Sequence, residues 1–117
     1  DIMNDKIQLV DIAQMGDEMD TELIKDEIQK RFDKIQSIHD SSKAKIYFKK
    51  HHDNPQGSPK YEVRVSVETP HKTFMSEKTD FSVIDAVTNA MDSAEKETRK
   101  YFDKKKAERI NDARLSV

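Results

Sequence analysis

Lys96, Lys100 and Lys104 recur at every fourth position, a spacing that puts them on one side of a helix, and Arg99 borders the row. Lys30 and Lys34 repeat the spacing earlier in the chain. Such rows suit phosphate oxygens, since each contact releases condensed counterions from a nucleic acid. They equally suit a solvated helix face laced with Glu95, Glu97 and Asp103, or with Glu27 and Asp33. On a prospective strand, Lys43, Lys45 and Lys49 project with Tyr47 from one side, a mixture that could hold single-stranded RNA by charge and stacking. Cross-strand pairing with Glu62 and Glu68 accounts for them as well, and is the favoured reading.

Other chemistry is sparse. His51, His52 and Asp53 lie together in a prospective loop, where adjacent histidines supply no closed tetrahedral set, so no metal or other cofactor is expected. His39 and His71 read as isolated turn residues. No nucleophile stands beside a base, and the only glycines, Gly16 and Gly57, belong to no phosphate-binding loop. The expectation is a protein that is not an enzyme and takes no small-molecule substrate. The absence of cysteine removes disulfides, thiolate zinc sites and a cysteine nucleophile, and is compatible with a reducing cytoplasm. The opening Asp1-Ile2-Met3-Asn4-Asp5 has no signal-peptide character, and no apolar run approaches the roughly 20 residues of a spanning helix. A cytoplasmic protein without a membrane partner is expected.

These side chains must be held by elements the rest of the sequence defines. With 117 residues, one core should serve the whole chain. Charged residues reach 38% against 34% apolar, a balance that approaches disorder, but the net charge is only −2 and the apolar positions are periodic. Six acids among the first twenty residues face only Lys6, so the remainder of the chain is net basic.

The stretch from Lys6 to Ala13 reads as a strand, with Ile7 and Leu9 on one side and Val10 and Ile12 on the other. Asp20 and Thr21 are helix-capping types, and Ile24, Ile28, Phe32 and Ile35 form one stripe of a helix ending near Ile38. Residues 43–50 alternate as a half-buried strand; 51–60, rich in turn formers, read as a hairpin loop. Tyr61, Val63, Val65 and Val67 mark the next strand, and residues 72–76 a weaker one. Thr79 or Asp80 should cap a long helix whose stripe runs through Phe81, Ile84, Val87, Met91, Ala94, Thr98, Tyr101 and Phe102. The fold class is therefore α+β, β-α-β-β-β-α, with a four-stranded sheet and two amphipathic helices on one face. A single domain over 1–106 is expected, followed by a charged tail, 107–117, that extends the helix or frays. The expected core includes Ile28, Phe32, Ile46, Val63, Val65, Ile84, Val87 and Met91.

Three stretches of this pattern resemble the ribosome hibernation-promoting factors, also called protein Y or ribosome-associated inhibitor A. Arg31-Phe32-Asp33-Lys34-Ile35 is similar to the family's aromatic-Phe-Asp-Arg-Ile closing the first helix. Thr79-Asp80-Phe81-Ser82-Val83-Ile84-Asp85-Ala86 is similar to its Asp-Met-Tyr-Ala-Ala-Ile-Asp opening the second, and the charged segment 96–106 has the family's character. The resemblance spans about residues 7–106. It implies binding to small-subunit ribosomal RNA near the decoding region, blocking messenger and transfer RNA, with translation regulated under stress. Longer members add a C-terminal dimerisation domain, for which this chain has no room. By this resemblance the candidate RNA-binding residues are Lys30, Lys34, Lys96, Arg99, Lys100 and Lys104.

One departure stands out. The family commonly places basic residues six, nine and thirteen positions after the Ile of its Ile-Asp pair, where this chain has Ala90, Ser93 and Glu97. A protein-interaction module on the same fold, divested of RNA binding, is the alternative this suggests. A double-stranded-RNA-binding domain shares the α-β-β-β-α part, but reads shape through basic residues at the second helix's start. Here that start is Thr79-Asp80-Phe81-Ser82, without a lysine cluster.

Overall fold

The computed structural model describes residues 4–16, 20–52, 55 and 57–115. The elements are β1 (Ile7–Val10), α1 (Thr21–Ile38), β2 (Lys43–His51), β3 (Lys60–Glu68), β4 (Thr73–Asp80) and α2 (Val83–Leu115), with a short 3-10 turn at Ile12–Met15. The strands lie in sequence order in one four-stranded sheet. β1 runs parallel to β2, with Leu9 opposite Ile46, because α1 crosses back between them. The other neighbours are antiparallel, with Ile46 opposite Val65 and Val65 opposite Ser76. This is the expected α+β architecture.

Both helices cover the same sheet face. Ala44, Ile46 and Phe48 of β2, Val63, Val65 and Val67 of β3, and Phe74 of β4 point into one core with the stripes of α1 and α2. Ile28, Phe32, Ile46, Val63, Val65, Val87 and Met91 are buried as expected, while Ile84 is only half-buried. Asp20 caps α1, its carboxylate accepting the Leu23 N–H at 3.0 Å, an arrangement worth about 1 kcal/mol. α2 approaches the sheet closely because its inward stripe uses small residues: Ala86, Ala90 and Ala94 are fully buried. The Ser76 hydroxyl donates to the Ala90 carbonyl at 2.6 Å, tying β4 to the helix backbone.

The boundaries of β1, β4 and α2 differ most from the sequence expectation. β1 stops at Val10 because Asp11 takes the left-handed conformation (φ 64°), which Asp tolerates better than most residues, and turns the chain into the 3-10 segment. Ile12 therefore packs on the core from that turn instead of lying on the outer strand face, and Met15 is buried. β4 runs on to Asp80 because β3 offers it a full ladder, Tyr61 opposite Asp80. That consumes Thr79 and Asp80, so α2 starts later, with Ser82 as its cap: Ser82 Oγ accepts the Asp85 N–H at 3.3 Å, and Asp80 accepts the Ser82 N–H at 2.9 Å. Phe81, assigned by periodicity to the apolar stripe, lies outside the helix and is 55% exposed, with the Lys60 ammonium over its ring.

α2 outruns the sheet. At 33 residues it is about 50 Å long, most of the molecule's 65 Å extent, and residues 103–115 are exposed on every side.

Candidate nucleic-acid interface

Among the described residues, each side of the sheet holds both paired and unpaired cations. On the face away from the helices Lys45 reaches Glu68 at 3.6 Å, and Arg64 meets Glu77 at 2.9 Å and Glu62 at 3.5 Å. His51, expected in a loop, instead ends β2 and shares a 2.9 Å hydrogen bond with Glu62. This hydrogen bond is the main cause holding the Glu62 carboxyl below its ordinary value, against desolvation that raises it. Cross-strand pairing thus engages Lys45, as favoured from sequence, while Lys43 and Lys49 have no carboxylate partner among the described residues.

On the helix layer the carboxylates thought available to Lys30 and Lys34 are already engaged. Glu27 is taken by Arg31 at 2.9 Å and by the Thr88 hydroxyl at 3.4 Å, and Asp33 accepts from Gln29 at 2.9 Å. Lys30 and Lys34 are exposed and form no direct ion pair among the described residues, while their charges help to lower the Glu27 and Asp92 carboxyls. The bond from Arg31 lowers the Glu27 pKa. Arg31 also reaches across the helix seam to Asp92 at 3.7 Å, and Lys96 holds Asp92 from its own helix at 3.0 Å. Asp92 is accordingly lowered by the Lys96 hydrogen bond first, then by the charges of Lys96, Arg31 and Lys34. Lys34 and Lys96 therefore act on one carboxylate, which brings one candidate of α1 and the first of α2 to a common seam.

The six candidates do not form one row. Ala94 and Thr98 face the core, so Lys96 and Lys100, two residues further on in each case, turn away from it. Arg99 falls on the flank of Thr88 and Asp92, which touch α1, and is held by Glu95 at 3.3 Å. Lys100 and Lys104 fall on the opposite flank with Ser93 and Glu97, toward β4, and are exposed without a carboxylate partner among the described residues. Lys78 of β4 borders that flank in a shallow cleft with Asn89, Asp92, Ser93 and Lys96. It escaped the sequence reading because β4 was expected to end at Ser76.

This placement corrects the reading of the departure. Ala90 is fully buried beneath the helix, where a lysine would not fit, so it is a packing position and not a vacant RNA contact. Ser93 and Glu97 do lie on an outer flank, and the same flank turns basic at Lys100 and Lys104, about two helical turns later. The histidines need a second correction. His39 and His71, separated in sequence, meet around Phe102, with ring centroids 5.5 Å apart and at 5.0 and 5.7 Å from the phenyl ring. Neither is isolated, and only the hairpin and helix crossing bring them together. Among the described residues no three metal-ligating side chains converge, and no helix is long and apolar enough to cross a membrane.

A sequence profile described as hibernation factor Hib, C-terminal domain, matches residues 6–116. The chain belongs to the hibernation-factor family. Two solved structures share the fold of this hibernation-factor domain. The Thermus thermophilus protein Y N-terminal domain is 19% identical, with a TM-score of 0.59, covering 80% of this chain and 94% of that one. A Coxiella burnetii ribosomal subunit interface protein is 23% identical, with a TM-score of 0.58, covering 81% and 94%. No curated protein matches the sequence.

The seam gives the hibernation-factor domain a defined acid response. Glu27 and Asp92 have folded pKa values below their ordinary ones, so the stability they contribute is present above the ordinary carboxylate range and lost as pH falls through the folded values. The contribution of these carboxyls, and of Glu62 on the open sheet face, should thus be full at pH 5 and decline below about 4.5, the ordinary glutamate value, as a fall in melting temperature. Arg31→Ala should shrink that decline, because it removes the main cause of the Glu27 shift and part of the Asp92 shift. An equal decline in wild type and variant would place the acid-sensitive contacts elsewhere.

Proposed function

We propose that this chain is a non-enzymatic ribosome-hibernation domain that binds small-subunit ribosomal RNA through the cations of its helix layer, in the cytoplasm and under stress. Its proposed effect is to occupy the surface used by messenger and transfer RNA. The observation that carries the reading is the larger set of unengaged cations on the helix layer: Lys30, Lys34, Lys100 and Lys104 form no direct ion pair among the described residues, against Lys43 and Lys49 on the open sheet face, where Lys45 and Arg64 are paired. Unpaired cations can neutralise phosphates without first giving up an acid, so they contribute more to nucleic-acid binding than paired ones. Family membership and the subunit-interface protein of the same fold support the choice of the ribosome as the nucleic acid. Lys96 and Arg99 are secondary contacts, since each must leave Asp92 or Glu95 to reach RNA.

Sedimentation with purified subunits tests this. At low salt the protein should pellet with small subunits, and messenger plus transfer RNA should displace it. Failure to pellet, or equal pelleting with large subunits, would favour the protein-interaction module.

A further inference from the structure

The inward stripe of α2 does not stop where the sheet stops. Beyond Thr98 the same helix face carries Tyr101 and Phe102, then Lys105 and Arg109, as α2 passes the β3–β4 turn. In the corner between that turn and the helix lies a cleft of about 300 Å³. His71, Tyr101 and Phe102 form its aromatic wall, and Lys105 and Arg109 supply cations. Glu108 and Asp112 complete the rim; Glu108 is 3.7 Å from Lys105. Tyr101 meets both Phe74 and Phe102 edge to face, with Tyr101 and Phe102 centroids 5.1 Å apart, and His39 lies tilted at 33° against Phe102. Lys72 and Lys105 each stand over Tyr101, at 5.4 and 5.6 Å.

A stripe of this kind ordinarily becomes wholly polar once it has nothing to cover. Here two half-buried rings and an exposed histidine remain at its edge, braced from behind and bordered by cations. We propose that this cleft is a stacking site for one unpaired nucleobase of a single-stranded RNA segment, with Arg109, and Lys105 on leaving Glu108, holding the flanking phosphates. The inference rests on the RNA reading above and adds a base contact to it. Three features favour this occupant. Bases stack on aromatic side chains regardless of identity, and arginine and lysine neighbours strengthen such sites. Lys105 and Arg109 stand beside the rings within reach of a base's flanking phosphates, with Glu108 and Asp112 on the rim. Lys100 and Lys104 precede the cleft on the same helix, one flank away.

Two measurements in parallel test the site. The first is affinity for isolated small subunits across a salt series, for wild type, His71→Ala and Tyr101→Leu. The second is the aromatic NMR spectrum of wild type with a short single-stranded RNA and with a ribose-phosphate chain of equal length lacking bases. Both variants should lower subunit affinity about 5- to 100-fold, the loss of one stacked base, without flattening its salt dependence. His71→Ala should do so at unchanged melting temperature, since the ring is exposed. The ring signals of Tyr101 and Phe102 should move with RNA and stay with the abasic chain. Unchanged affinity in both variants, on subunits that wild type binds, overturns the stacking site and leaves phosphate binding standing. A flattened salt dependence overturns it in favour of a phosphate contact. Lost affinity with unmoved ring signals assigns the cleft to a protein partner and overturns it too. Wild type that binds no subunits removes the RNA reading itself and the stacking site with it.

Discussion

Phe32→Ala should lower the unfolding free energy by about 3–5 kcal/mol, measured as a shift of the urea midpoint at unchanged slope. Phe32 is fully buried and joins the stripe of α1 to the sheet, so its removal loses both transfer energy and packing around a cavity. Against a total of roughly 5–15 kcal/mol for a domain of ordinary stability, that leaves much of the population unfolded under mild denaturant. Phe81→Ala is the informative partner. Periodicity assigns Phe81 to the second helix's apolar stripe, but its ring is 55% exposed and stands outside the helix. Its loss should cost well under half as much. Equal costs for the two would mean that Phe81 packs in the core and that α2 begins where the sequence pattern put it.

That contrast shows what the sequence could reveal. The stripe Ile24, Ile28, Phe32 and Ile35 was legible because a helix needs only one period to be recognised, and strict alternation in residues 43–50 and 61–67 did the same for the central strands. The start of α2 was not legible, since Thr79 and Asp80 suit a cap as well as a strand end, and only the β3 ladder decides between them. The end of β1 depended on one left-handed residue, Asp11, that no periodicity marks.

The candidate interface was legible to a lesser extent. Four-residue spacing correctly placed Lys96 and Lys100 away from the core, but spacing within one helix says nothing of the neighbour. That Lys34 and Lys96 act on Asp92 depends on how α1 and α2 cross. Nor could spacing show that Ala90 lies beneath the helix, or that His39 and His71 converge on Phe102. Such groupings are set by packing between elements distant in sequence.

The second large effect concerns charge. Replacing Lys96, Lys100 and Lys104 together by Ala should weaken small-subunit binding and make it less sensitive to salt, because fewer phosphate contacts remain to release counterions. With about 0.7 per contact on single strands, the slope of log affinity against log salt should shrink by roughly two units. Lys100 and Lys104 should account for most of it, since Lys96 is held 3.0 Å from Asp92. Folding should barely change, as exposed charges of this kind carry little stability. Lys45→Ala with Lys49→Ala, on the open sheet face, is the matched control and should leave the slope as it is.

The salt dependence of small-subunit binding, compared between wild type, the triple lysine variant and the sheet-face control, is thus the most direct test of RNA recognition by the helix layer. A steep wild-type slope, flattened by the triple change and untouched by the control, is the predicted result. A wild-type protein that ignores small subunits at low salt, or a sheet-face change that alone abolishes binding, would contradict it.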